Sequence, residues 1–155
     1  VVHTAAPRAT ELETWTGFAR AARMLVAQLD RDLQRDSGLS IAAYELLSLL
    51  SRAPGQAARM SELAEATHSS PSRITHAIDQ LARDGQVARQ ECAGDRRGCS
   101  AVLTPSGALA LEQATERHDA SVRAHLLDHL STEQLDELCA ISRSVLDHLC
   151  SLRSR

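Results

Sequence analysis

The chain contains no lysine: every one of its 17 basic residues is arginine, set against 20 acids for a formal net charge of −3. An acidic total excludes a module that grips polyanions by bulk charge. Any nucleic-acid contact must come from a few placed arginines. Aromatics are equally scarce, with one each of Trp15, Phe18 and Tyr44. A core short of rings is built from Leu, Ala, Ile and Val, which favours helices and argues against an aromatic-rich β-sandwich. The four cysteines, Cys92, Cys99, Cys139 and Cys150, show no C-x-x-C spacing and read as reduced thiols. No apolar run reaches membrane-spanning length and no secretory signal is visible, so the expected setting is the cytoplasm, with no membrane partner. Nucleophile elbow, P-loop and dinucleotide fingerprint are all missing, so neither an enzyme nor a cofactor is expected.

What is present is a chain of 155 residues, one domain or one domain with a dimerisation extension. Its organising stretch is 61–104. Ser70 is a good N-cap and Pro71 sits at the first helical position, where a missing N–H costs nothing. Gly85 can close the helix in the left-handed conformation. Ile74, Ile78 and Leu81 share one face of this helix, while Ser72, Arg73, Thr75, His76, Asp79 and Gln80 lie on the flanks and the opposite side. Residues 61–66 form a first, shorter helix capped by Ser61, and His68 to Ser70 form the turn of a helix-turn-helix. Two short strands follow, 86–91 and 101–103, around the glycine-flanked tip Gly94-Asp95-Arg96-Arg97-Gly98. Two arginines on such a tip can reach phosphates or a narrow minor groove. Residues 58–104 hold as many arginines as acids, so this unit is less acidic than its surroundings without being basic.

Around this unit, residues 11–35 form a long amphipathic helix, 41–52 a second capped by Ser40, and 58–60 a short strand. Thr104-Pro105 opens a helix to about residue 127, and the capping box Ser131 to Gln134 opens the last. The terminal helices carry more apolar surface than a small domain needs. A homodimer formed by both chain ends is expected, and it suits a palindromic DNA site. The fold class is therefore mainly α with a small β-hairpin wing. Residues 39–104 are the winged helix-turn-helix, 11–35 and 105–152 the dimerisation helices, and 1–10 a flexible tail.

Three stretches, "LSIAAYELLSLL" (39–50), "RMSELAEATHSSPSRITHAIDQLARDGQVAR" (59–89) and "GDRRGCSAVLTPSG" (94–107), resemble the MarR family of bacterial transcription regulators. Asp95, Arg96, Arg97, Leu103, Thr104 and Gly107 match its wing signature. The resemblance implies a homodimeric, ligand-responsive regulator, more often a repressor, bound to a double-stranded operator. It implies base readers at Ser70, Ser72, Arg73, Thr75 and His76, joined by Gln80 on the same exposed face. It also implies a DNA-touching wing arginine at Arg97, and Asp95 as the acid that orients the wing arginines. It further implies a small-molecule site, often for aromatic or phenolic compounds. Trp15, Phe18, Ala19, Ala22, Tyr44 and Leu47, on the first two helices, are its candidate walls. His118, His125, His129 and His148 read as exposed histidines and no metal site is expected. Two alternatives stand beside this reading. If the hairpin pairs Cys92 directly with Cys99, a disulfide could make the wing redox-responsive. A winged module that binds protein instead of DNA would be indifferent to Arg96 and Arg97.

Overall fold

The computed structural model describes residues 8–91 and 99–153. Two compact units divide the chain, 1–119 and 120–155, and the division falls within a helix. In the first unit, α1 (Ala9–Ser37) ends where Gly38 turns left-handed at φ 74° and returns its N–H to the Gln34 carbonyl. The chain re-enters at once into α2 (Ile41–Arg52). That helix start is satisfied twice: Ser40 Oγ accepts the Ala43 N–H at 3.2 Å, and the Asp30 carboxylate of α1 accepts the Ile41 N–H at 2.8 Å. A 3-10 turn, Pro54–Gln56, leads into β1 (Ala57–Arg59), one residue earlier than the periodicity predicts.

The helix-turn-helix follows as α3 (Met60–Ala66) and α4 (Pro71–Arg83). Ser61 does not cap α3. The helix begins a residue sooner, and the Glu62 carboxylate accepts the Arg59 N–H at 2.8 Å, so a side chain in the first turn satisfies the end from within. Its exit uses His68 at φ 52°, a left-handed position that glycine usually fills. β2 (Val87–Glu91) and β3 (Cys99–Leu103) complete an antiparallel sheet in the order β1-β3-β2.

Leu33, Leu46, Leu47, Leu50, Leu63, Ile78 and Leu81 form the sealed centre of this unit. Each such side chain contributes roughly 1.5–3 kcal/mol by leaving water. Together they hold α4 by its apolar face, so its other face stands in solvent.

The first turn of α5 (Pro105–His125) grips the end of α4. Thr104 Oγ1 donates to the Gly85 carbonyl at 2.7 Å, and the Thr104 N–H donates to the Gln86 carbonyl at 3.1 Å. The Gly107 N–H donates to Thr104 Oγ1 at 3.0 Å. A Cβ on Gly107 would stand 2.0 Å from the Gln86 oxygen, so glycine is required by close approach of main chain to main chain.

The second unit holds the end of α5, a 3-10 turn Leu127–His129, and α6 (Thr132–Arg153). The expected capping box is present. The Ser131 N–H donates to Gln134 Oε1 at 2.9 Å, and the Gln134 N–H donates to Ser131 Oγ at 3.3 Å. Ile141, Val145, Leu146, Leu149 and Leu152 remain half or more exposed along α6. Among the described residues no helix is long and apolar enough to cross a membrane.

Candidate nucleic-acid interface

α4 spans the residues its sequence signals delimit. Ser70 Oγ accepts the Arg73 N–H at 3.4 Å and lies 3.2 Å from Ser72 Oγ, so Ser70 builds the helix end as well as standing on its exposed side. Ile74, Ile78 and Leu81 are buried, and Ser72, Arg73, Thr75, His76 and Gln80 are exposed. These exposed groups differ in readiness. Thr75 Oγ1 donates to the Pro71 carbonyl at 2.9 Å, leaving its lone pairs to accept. The Gln80 amide is engaged on both sides, donating to Asp84 at 3.0 Å and accepting from Arg83 Nη2 at 2.7 Å. Arg73 and His76 have no side-chain hydrogen bond or ion pair among the described residues, and so present unspent groups to solvent. Donors and acceptors at helical spacing, little apolar area and a rigid mount behind are what reading base edges would require.

The wing is described up to its tip. β2 and β3 pair with Val87 opposite Leu103 and Glu91 opposite Cys99. Cys99 therefore faces Glu91 across the ladder rather than Cys92, and the direct cysteine pairing that a redox wing requires is absent at that position. Cys92 itself, with Asp95, Arg96 and Arg97, lies outside the described residues.

The expected effector walls are not brought into one enclosed site. Trp15 and Phe18 are 64% and 54% exposed on α1, with Ala19 and Ala22 half-buried beside them. Leu47 is 0% exposed and offers no surface to a ligand, because its face of α2 is spent on the core. Tyr44, three residues away on the helix flank, does line a cavity of about 620 Å³. The other walls include Ser48, Arg52, His68, His118 and Asp119. The histidine is not on a solvated face as expected. Its ring lies 4.6 Å from that of Tyr44, tilted by 40°, and its Nδ1 is buried without a partner. The sequence does carry a signal for this, because His118 continues the inward stripe of Leu111 and Ala114. His129 is also engaged, with Nε2 2.9 Å from the Ala124 carbonyl. Among the described residues no three His, Cys, Asp or Glu side chains gather as a metal site would need.

A short helix, a tight turn and a second helix, backed by a small sheet whose last two strands form a hairpin, define the winged helix-turn-helix class. The MarR family model matches residues 37–98. The whole architecture is similar to AbsC, a MarR family transcriptional regulator from Streptomyces coelicolor. The two are 38% identical over 96% of this chain and 99% of that one, with a TM-score of 0.85. It is equally similar to Sco3205, a MarR family regulator from the same organism solved in complex with DNA, at 36% identity, 94% and 92% coverage and a TM-score of 0.87. A further relative is the HTH-type transcriptional repressor YetL of Bacillus subtilis (strain 168), 34% identical over 99 residues. That match takes in 64% of this chain and spans 59% of the length of YetL. The chain belongs to the MarR family of transcriptional regulators, which are not enzymes.

Proposed function

We propose that the chain is a homodimeric repressor that binds a pseudo-palindromic operator and leaves it when a small aromatic or phenolic compound binds. One observation carries the reading: α4 is mounted on the core by Ile74, Ile78 and Leu81 while Ser72, Arg73, Thr75 and His76 stand in solvent on its outer face. Each recognition helix enters a major groove, with half-sites about one helical turn, roughly 34–36 Å, apart. Arg73 and His76 read bases, Ser70 fixes the helix start, and Gln80 joins the contact once Asp84 and Arg83 release it. Arg96 and Arg97 supply the wing's contact with the phosphates, oriented by Asp95. The exposed apolar stripes of α1 and α6 support a dimer, since a lone chain would leave Trp15, Phe18, Val145 and Leu149 in water. The cavity beside Tyr44 supports the effector, with a ring pair for stacking and Arg52 and His68 as polar handles.

The test is selection of binding duplexes from a random pool, followed by the same selection with Arg73→Ala and His76→Ala. The parent should enrich an inverted repeat, and each variant should relax particular positions by about 1–3 kcal/mol per lost contact. Variants that lose affinity equally on every sequence would remove base reading from α4.

A further inference from the structure

Asp79 stands where a carboxylate should oppose the protein's partner. Residues 72, 75, 76, 79 and 83 recur at helical spacing and share the outer face of α4. Asp79 lies one turn below Thr75 and His76, on the surface that meets a duplex carrying one negative charge about every 1.7 Å of its axis. The nearest arginine on the helix does not answer it. Arg83 directs Nη2 to Gln80 Oε1 at 2.7 Å and Nε to the Asp79 main-chain carbonyl at 3.3 Å. The carboxylate is met from another element instead: Arg89 of β2 places Nη1 3.1 Å from Asp79 Oδ1. Arg89 is delivered there by the sheet, where it pairs with Ala101 of β3 two residues beyond the buried Val87. Both side chains are more than a third exposed, so the pair contributes little to the stability of the fold. Its consequence lies in the charge that α4 shows to DNA.

We propose that Arg89 is a positioning residue of the DNA site, which neutralises Asp79 and holds its carboxylate toward the wing strand. The reading face then approaches the phosphates without a bare negative charge. This rests on α4 being the DNA-reading helix. A shield differs from a strut in one respect. Breaking a strut from either end does equal harm, whereas a shield matters only while the charge behind it remains.

The experiment measures affinity for a duplex selected by the parent protein, across a salt series, for Arg89→Gln, Asp79→Asn and the double variant. Arg89→Gln should bind about tenfold more weakly at low salt, with the loss shrinking as salt screens the bared carboxylate. Asp79→Asn should match or exceed the parent, and the double variant should recover to within about threefold of it. Arg89→Lys keeps the charge and should stay close to the parent; should Arg89→Gln fail to fold, Arg89→Lys and Asp79→Asn carry the test. Equal losses in Asp79→Asn and Arg89→Gln would show a strut and overturn the proposal. A double variant as weak as Arg89→Gln would overturn it too, because Arg89 would then touch DNA itself. A parent that selects no duplex refutes the DNA-binding function, and the shield falls with it; a parent that selects one while all variants match it refutes the shield alone.

Discussion

Gly107→Ala and Gly17→Ala are the same substitution in two helices, and the structure assigns them opposite signs. At Gly17, inside α1, an added Cβ meets nothing within 4 Å. Alanine there should stabilise the chain by up to about 1 kcal/mol, because it gives up less backbone entropy on folding. At Gly107 the Cβ meets the Gln86 oxygen at 2.0 Å, the Gln86 carbon at 2.9 Å and Leu103 Cδ1 at 2.9 Å. Two of those three atoms are main chain, so no rotamer change relieves the clash. Overpacking of this kind costs about 1–3 kcal/mol. Moving the Gln86 carbonyl also weakens the hydrogen bond it accepts from the Thr104 N–H at 3.1 Å, a further loss of about 1 kcal/mol. Against this stands a helix-propensity gain of at most about 1 kcal/mol, smaller in a first turn. The net expectation is a destabilisation of about 1–3 kcal/mol. Urea unfolding followed by far-UV circular dichroism measures it, and with m of about 1–3 kcal/mol per molar the midpoint should fall by roughly 1 M. Gly17→Ala should move the midpoint the other way. A Gly107→Ala protein as stable as the parent would refute the claim that the α4 exit and the α5 entry are in main-chain contact.

Three further outcomes are expected. Leu47→Ala should destabilise by about 2–5 kcal/mol in the same melts, the range for emptying a fully buried leucine site, and should leave intact the effector binding proposed at the Tyr44 cavity when measured on the remaining folded protein. Val145→Asp should convert the proposed dimer to monomer in sedimentation velocity and abolish binding to an inverted repeat at concentrations where the parent saturates it. The Glu133 carboxyl is held below its ordinary value of 4.5, first by its own backbone N–H and then by the Ser131 hydroxyl. Its folded value lies below its unfolded one, so the α6 cap is supported fully above about pH 4.5 and loses that support as pH falls through the folded value. Glu133→Gln should therefore lower stability slightly at neutral pH and change little below the folded value, flattening the acid dependence seen in the parent.

The limits of α4 were legible because they rest on local chemistry. Ser70-Pro71 can start a helix, Gly85 can end one, and no distant residue need be known. The start of α3 was not legible to the same degree, since Ser61 and Glu62 are both competent to satisfy that helix end and only the strand before it decides between them. Hairpin register is harder still. It depends on the turn, and a slip of one residue separates Cys99 opposite Glu91 from Cys99 opposite Cys92. The cavity was the least visible part, since Tyr44, His68 and His118 come from three elements far apart in the chain. The sequence placed Tyr44 and Leu47 together on one helix as candidate pocket walls. It could not say that α2 spends one flank wholly on the core and leaves the other beside an opening.

The order β1-β3-β2 has a consequence for the birth of the molecule. β1 precedes the helix-turn-helix and finds its partner only in β3, which follows both α4 and β2. The winged helix-turn-helix is thus drawn closed by a contact between its two ends, and such long-range closure comes late in folding. At synthesis rates of about 5–20 residues per second, the nascent α3 and α4 wait for seconds before the strand that fastens them leaves the ribosome. Throughout that interval β1 is an unpaired edge. A chain halted before Leu103 would own a complete recognition helix with its sheet unbuilt, and its exposed strand would make it prone to aggregate.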